Sequence, residues 1–274
     1  MTAPRPAAPV PASETDRPPA PRAGKTVWKR AAVFNVAQSA LVFLVTIVAG
    51  PLTLFMKRET VRDVANWWCR ANLKLLRLIV GIDLEVRGLE NIPKGGALVA
   101  VKHQSALETF GLMPQLPDPT FVLKRELTWL PFFGWFLIRM KMIAIDRKAG
   151  SEALTQILKQ AEPAAREGRQ IVIYPEGTRR AVGEPARYKL GVSFLYERLG
   201  LPCAPVAINA GVFWPKGTLR RRQGRAVIEF LEPIPPGLDR DTFQKILKER
   251  IENASATLID EALHGPTPVG PPRP

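Results

Sequence analysis

The chain has 274 residues, 46% hydrophobic and 23% charged, which excludes a largely disordered protein and allows one sizeable core. Its 39 Lys and Arg against 25 Asp and Glu leave a net charge of +14, so an anionic partner is expected: a lipid headgroup, an acidic carrier protein or nucleic acid, with a basic solubilising surface as the plainer reading. Two cysteines, Cys69 and Cys203, cannot form a disulfide framework, and no metal-ligand spacing surrounds them or the two histidines; no metal is expected, and the catalytic parts are expected to face a reducing compartment such as the cytoplasm.

Residues 1–24 are rich in Pro and Ala without an apolar period and read as a disordered arm that lacks the apolar core of a signal peptide. Val33 to Phe55 then carries no charge, and as a helix would extend roughly 34 Å, enough to cross a hydrocarbon core. Gly50-Pro51 interrupts this run, and basic residues flank both ends: Lys25, Lys29 and Arg30 before it, Lys57 and Arg58 after it. The flanking charges give no orientation, so a single span and a segment that dips in and returns both fit. From Glu59 to Val80 an apolar stripe at helical spacing (Val61, Val64, Ala65, Trp68, Leu75, Leu76, Ile79) alternates with Arg62, Arg70, Lys74 and Arg77. Such a helix suits a membrane interface, and packing of the stripe onto the rest of the protein fits as well. Residues 25–80 are therefore read as membrane-associated helices.

From Ile82 the pattern alternates. Strands are expected at 82–87, 97–102, 119–123, 142–146, 170–174, 203–209 and 225–231, and helices near 104–113, 126–139, 151–167, 189–199 and 240–263. Pro163 is expected to kink or shorten the third helix. Alternation of this kind predicts an α/β domain over 81–264, a mostly parallel mixed sheet flanked by helices, with a Pro-rich tail at 265–274.

Three constellations carry chemistry. The run Lys102-His103-Gln104-Ser105-Ala106-Leu107-Glu108 follows an apolar strand, so His103 lies at a strand end and Glu108 reaches back from the next helix. A carboxylate on one imidazole nitrogen orients the ring and leaves the other nitrogen to accept a proton from an alcohol. Next, Ile171 to Arg180 runs from a strand into a turn with Glu176, Gly177, Thr178 and Arg179, where Gly177 permits close approach and Arg179 offers a fork for phosphate oxygens. Finally, Lys124-Arg125-Glu126-Leu127 and Ile145-Asp146-Arg147 put further cations at predicted strand ends, which converge on one crevice in a parallel sheet. Taken singly, each has an ordinary structural reading as a helix-start histidine, a strand-to-loop turn or a surface charge.

In this order the motifs resemble the PlsC-type glycerolipid acyltransferases, which carry a His-x-x-x-x-Asp block, a Lys-x-Glu-Leu…Pro…Gly and Ile-Asp-Arg block, a Pro-Glu-Gly-Thr-Arg block and an apolar strand with Pro, here Pro205-Val206-Ala207-Ile208-Asn209. The resemblance covers about residues 82–232. It implies His103 as general base and Glu108 as its orienter, in place of the usual Asp. It further implies Glu176, Gly177, Thr178 and Arg179 as the acceptor-binding motif, assisted by Lys124 and Arg147. The implied activity is acyl transfer from acyl-carrier protein or acyl-coenzyme A, with no bound cofactor, to the sn-2 hydroxyl of 1-acylglycerol-3-phosphate. The partners are then a lysophospholipid, a thioester donor and an anionic membrane rather than nucleic acid, at the cytoplasmic face of the inner membrane. Backbone amides after His103 are candidate oxyanion donors. Competing readings are acylation of another lyso-lipid, a covalent route through Cys203, and a non-enzymatic membrane or nucleic-acid binder that uses the basic stretch Lys216 to Arg225. His264 reads as incidental.

Overall fold

The structure, a computed structural model, describes residues 23–147, 149–150 and 152–265. Most of the expected 1–24 arm and 265–274 tail lies outside these. Ala23 and Gly24 are inside, and their amides bond to the carbonyls of Ala262 and Gln223 at 2.6 and 2.7 Å.

The apolar run forms helix α1, Trp28–Ala49. It is long and apolar enough to cross a membrane by length and composition. Pro51, which has no N–H to continue the ladder, converts the chain into a 3-10 turn at Pro51–Leu54. The backbone extends at Lys57 and re-enters a helix, α2, over Arg58–Leu75. A π turn, Leu76–Val80, follows and ends at Gly81 with φ of 82°, a conformation that glycine adopts without a Cβ clash. The stripe on α2 packs inward: Val61 and Leu76 are buried, and Val64, Ala65, Trp68, Leu75 and Ile79 lie against the core. Trp67 faces outward. The stripe thus packs onto the domain, as one of its two compatible readings expects.

Seven strands follow: β1 (Ile82–Arg87), β2 (Ala97–Val101), β3 (Pro119–Lys124), β4 (Ile143–Ile145), β5 (Gln170–Ile173), β6 (Cys203–Ile208) and β7 (Gly224–Phe230). The helices between and after them are α3 (Leu107–Leu112), α4 (Phe133–Arg139), α5 (Glu152–Arg166), α6 (Gly191–Leu199), α7 (Ala210–Phe213) and α8 (Arg240–His264). The sheet order is β1-β7-β6-β2-β5-β3-β4. From β6 to β4 every neighbouring pair is parallel; β7 turns antiparallel to β6, and β1 runs parallel to β7. The mixed, mostly parallel sheet is the expected one, and it sends the C-terminal ends of β6, β2, β5, β3 and β4 to a single edge.

The alternation of side chains along each strand divides the core. Val99 and Val101 of β2 join a layer with α1, α2 and α3, whereas Leu98 and Ala100 join a layer with α5, α6 and α8. Covering both faces requires central strands apolar on both sides, and β2, β5 and β6 are buried throughout.

Three of the expected helices differ from expectation. The single helix expected at 126–139 is split into a 3-10 turn, Arg125–Trp129, and α4, because Pro131 drives Leu130 into an extended conformation with ψ of 126°. The helix expected from 104 begins at Leu107, because the amides of Gln104 and Ser105 are engaged by a side chain. Helix α5 is not shortened by Pro163, and continues to Arg166.

Candidate active site

His103 lies just beyond the C-terminal end of β2, on the turn before α3. Its Nδ1 stands 2.8 Å from Glu108 Oε1. The same oxygen accepts the amides of Gln104 at 3.0 Å and Ser105 at 2.8 Å, and Oε2 accepts that of Ser105 at 3.1 Å. Ser105 Oγ in turn accepts the Leu107 amide at 3.2 Å. This is a capping-box arrangement, Ser-x-x-Glu, in which one carboxylate closes the helix start and also holds the imidazole. The i to i+5 spacing works because residues 103–106 form a turn. Glu108 is wholly buried, so water does not compete for its oxygens. A carboxylate accepts hydrogen bonds, so the hydrogen on this ring sits on Nδ1, and Nε2 presents a lone pair with no partner among the described residues.

The face of the imidazole is fixed by Tyr174, whose ring stacks on it at 4.0 Å between centroids and 23° between planes. Tyr174 follows β5, the strand beside β2. Its hydroxyl lies 3.1 Å from Thr109 Oγ1. Enclosure and the nearby Glu108 carboxylate push the phenol above its ordinary range, so it stays protonated and able to donate.

The backbone of His103 is held as well. Its N–H donates to Glu176 Oε2 at 2.9 Å, and its carbonyl accepts the Arg180 amide at 2.8 Å. Glu176 Oε1 lies 3.2 Å from Lys102 Nζ, which also contacts both oxygens of Glu252 on α8 at 2.8 Å. The structure thus places Glu176 beneath the catalytic turn, buried and fully engaged, rather than on the open rim.

The other cations named from sequence occupy that rim to different degrees. Gly177 adopts φ of 65°, and its carbonyl accepts from Arg147 Nη1 at 2.6 Å. Thr178 and Arg179 are exposed, and the Arg179 guanidinium has no hydrogen-bond or ion-pair partner among the described residues. Lys124 stands at the end of β3 with its ammonium 3.0 Å from Glu126. The amides of Gln104 and Ser105 are spent on Glu108, which removes them as oxyanion donors.

An apolar cavity of about 190 Å³ lies between α1, α2, α3, α4 and β3. Val45, Ala65, Trp68, Met113, Phe136 and Met142 line it, and Thr109 reaches its wall. Through Thr109 and Tyr174 the cavity comes within two side chains of the imidazole.

Cys203 begins β6, and β6 runs parallel to β2 with Cys203 opposite Leu98, so the thiol lies at the sheet edge remote from His103, roughly 16 Å away along the strands. It is fully buried, and burial pushes its pKa far above the range of a usable nucleophile. The covalent route through Cys203 has no geometric basis. His264 pairs with Asp260 at 2.8 Å on the surface of α8 and has no contact with His103 or Glu108.

Tyr174, Lys102 and Glu252 were given no role from sequence. Tyr174 adjoins the Pro-Glu-Gly-Thr-Arg run and Lys102 adjoins His103, so nearness to a motif was a usable signal for both. Glu252 sits among alternating charges on α8, with nothing local to mark it.

A histidine steered by a buried acid, at the C-terminal edge of a mostly parallel sheet and beside an unpaired arginine, is an arrangement that can activate a hydroxyl by general-base chemistry. Residues 83–209 match the model of the family described as Acyltransferase. The chain is 42% identical over 192 residues to the 1-acyl-sn-glycerol-3-phosphate acyltransferase of Pseudomonas aeruginosa, covering 68% of this chain and 73% of the relative. It is 30% identical over 201 residues to the human 1-acyl-sn-glycerol-3-phosphate acyltransferase alpha, covering 69% and 71%. The chain belongs to the PlsC-type glycerolipid acyltransferase family. Its fold is also that of the crystal structure of the 1-acyl-sn-glycerophosphate (LPA) acyltransferase PlsC from Thermotoga maritima, with a TM-score of 0.66 at 22% identity over 83% of this chain and 97% of that one.

Proposed function

We propose that this protein transfers a fatty acyl group from an acyl thioester to the free sn-2 hydroxyl of 1-acyl-sn-glycerol-3-phosphate, giving phosphatidic acid. The observation that carries the reading is the 2.8 Å contact between His103 Nδ1 and Glu108, which leaves Nε2 free on the same rim as the unpaired Arg179. Two relatives that each share about 70% of their length with this chain bear that enzyme's name.

In this reading Nε2 takes the hydroxyl proton as the oxygen attacks the thioester carbonyl, and Glu108 stabilises the imidazolium that forms. The tetrahedral intermediate then collapses: the C–S bond breaks, the imidazolium returns its proton to the departing sulfur, and an ester and a free thiol result. Arg179 holds the acceptor phosphate, with Thr178 beside it. Arg147 supports that turn through the Gly177 carbonyl, and Glu176 supports it from below. The apolar cavity receives an acyl chain. The donor is the thioester of acyl-carrier protein or coenzyme A.

The same reading places the protein on the cytoplasmic face of the inner membrane. Both ends of α1 are tied to the α/β domain. At its start Thr26 bridges Arg222 and the Val27 amide bonds to the Arg221 carbonyl at 2.8 Å. Beyond its end the Arg139 guanidinium grips the Met56 carbonyl. A helix tethered at both ends to one domain lies in a leaflet rather than threading through it, with Val36, Phe43, Leu44 and Val48 outward.

The test is an acyl-transfer assay on purified protein with 1-acylglycerol-3-phosphate and phosphate-free lyso-lipids, each with both donor types. Phosphatidic acid and free thiol in equal amounts are expected. Turnover only with phosphate-free acceptors would overturn the substrate assignment.

A further inference from the structure

Two basic segments far apart in sequence meet at the start of α1. Lys25, Lys29 and Arg30 come from the N-terminal side, and Arg220, Arg221 and Arg222 from the loop before β7. They are joined by the Thr26–Arg222 bridge, by the Val27 amide on the Arg221 carbonyl at 2.8 Å, and by the Gln223 amide on the Lys25 carbonyl at 3.2 Å. The sequence contains no Asp or Glu from Ala23 to Arg58, nor from Ala210 to Ile228. Lys25, Lys29, Arg30, Arg220 and Arg222 are exposed, and none has an ion-pair partner among the described residues.

Two further features show that this charge is uncompensated among the described residues. The first turn of α1 has no acidic residue and no side-chain cap, so its cations stand at the positive end of the helix dipole, where anions are favoured instead. Arg221 is buried to 3% exposure without a carboxylate. Its guanidinium lies 4.5 Å over the Trp214 ring and donates to the Thr218 and Arg220 carbonyls and, at 3.5 Å, to Asn35 on α1. Its Nε has no partner. A buried guanidinium is ordinarily offset by an acid. Here no described residue supplies that acid. Burial alone draws this guanidinium down to about 10, which leaves it charged at neutral pH.

The surroundings indicate what supplies the counter-charge. Trp28 and Leu219 flank the cations and are exposed, and the outward face of α1 beyond them is apolar at Val33 and Val36. Cations clustered at the end of an apolar helix face, with a tryptophan beside them, match the depth profile of a leaflet: acyl chains first, then phosphates.

We propose that Lys25, Lys29, Arg30, Arg220 and Arg222, over the buried charge of Arg221, form a docking site for the phosphate groups of anionic phospholipids. The site rests on the leaflet placement of α1 argued above and adds a lipid-charge requirement to it. The same loop reaches the acceptor site through Lys216, whose Nζ donates to the Arg179 carbonyl at 3.2 Å, but none of the five cations has a hydrogen bond or ion pair with Arg179. Binding there holds α1 at its working depth.

The experiment compares vesicle flotation of the full chain and of Lys25→Gln/Arg220→Gln/Arg222→Gln. Vesicles are phosphatidylcholine alone or phosphatidylcholine with phosphatidylglycerol. The unmodified chain is expected to prefer the anionic vesicles, with the preference collapsing in high salt. The variant should lose about fivefold in anionic-vesicle partitioning per charge, of order a hundredfold in all at low salt. Its partitioning onto pure phosphatidylcholine and its turnover on detergent-dispersed acceptor should stay unchanged. Equal partitioning of the unmodified chain onto both vesicle types would overturn the proposal. So would a variant that floats normally while its binding to acyl-carrier protein falls, which would make the patch a protein-docking face, or a variant that loses turnover in detergent, which would make it part of the acceptor site. Flotation needs no turnover, so a chain that docks on anionic vesicles yet transfers no acyl group sinks the acyltransferase reading and leaves the patch standing.

Discussion

Lys102 and Glu252 lie 150 residues apart in sequence and form a forked ion pair, with the ammonium 2.8 Å from each carboxylate oxygen. Lys102 directly precedes His103 and also contacts Glu176, whose other oxygen accepts the His103 amide. Tyr188 donates to Glu252 at 2.9 Å. Helix α8 thereby holds the base of the catalytic turn.

Loss of this tie should loosen the turn without altering the groups that meet substrate. Glu252→Gln is expected to lower stability by about 1.5–3 kcal/mol, the range for a hydrogen bond to a charged group. It should reduce kcat more than it changes KM for either substrate. Denaturant midpoints and steady-state kinetics check both, and an unchanged kcat in a destabilised variant would reduce the pair to a structural clamp.

His103→Ala should lower turnover by roughly 10²–10⁴ while leaving the fold intact, since general-base catalysis contributes in that range. Glu108 carries two roles that separate by substitution. Glu108→Gln keeps an oxygen to cap α3 but offers a neutral partner to the imidazole, so kcat should fall by about 10²–10⁴ with a small change in melting temperature. Glu108→Ala loses the cap as well, about 1 kcal/mol more. Equal melting temperatures for the two variants would contradict the capping role seen at Gln104 and Ser105.

Arg179→Ala should raise the acceptor KM by roughly 10- to 100-fold, as a charge-assisted phosphate contact of about 1.5–3 kcal/mol implies. Its effect on kcat should be small if the phosphate is held equally in ground and transition states. Lys124→Ala should do less, because Glu126 already engages that ammonium. A larger penalty at Lys124 than at Arg179 would reverse the assignment.

The cavity between α1, α2 and α4 makes a prediction about chain length. Ala65→Leu projects extra methyl groups into it, and long-chain substrates should lose about 10-fold or more in kcat/KM while short ones are spared. A uniform loss across chain lengths would mean that the cavity holds no acyl chain.

The catalytic turn was legible because its determinants are local. Ile173 ends a buried apolar strand immediately before Tyr174, Val101 does the same before Lys102, and the parallel pairing of β2 and β5 brings both turns to one edge. The split of the 126–139 helix was also within reach, since Pro131 forbids a helical Leu130, yet its apolar spacing outweighed that signal. Helix α7 was missed because Ala210–Phe213 is a single turn, too short to show a period. Glu176 was read as a substrate contact from its motif, although the structure buries its carboxylate under His103.

Sequence alone determined the kinds of chemistry and their order: an apolar helix broken at Gly50-Pro51, strands that lead into His103, Lys124, Asp146 and Tyr174, and an acid five residues after the histidine. These follow from side-chain periodicity and turn propensity, which act over a few residues. Tertiary structure alone decided that Tyr174 stacks on the imidazole, that α8 reaches Lys102 through Glu252, and that Lys25 and Arg222 share one surface. Those meetings depend on strand order and on burial shared between distant segments. No local spacing encodes either of them.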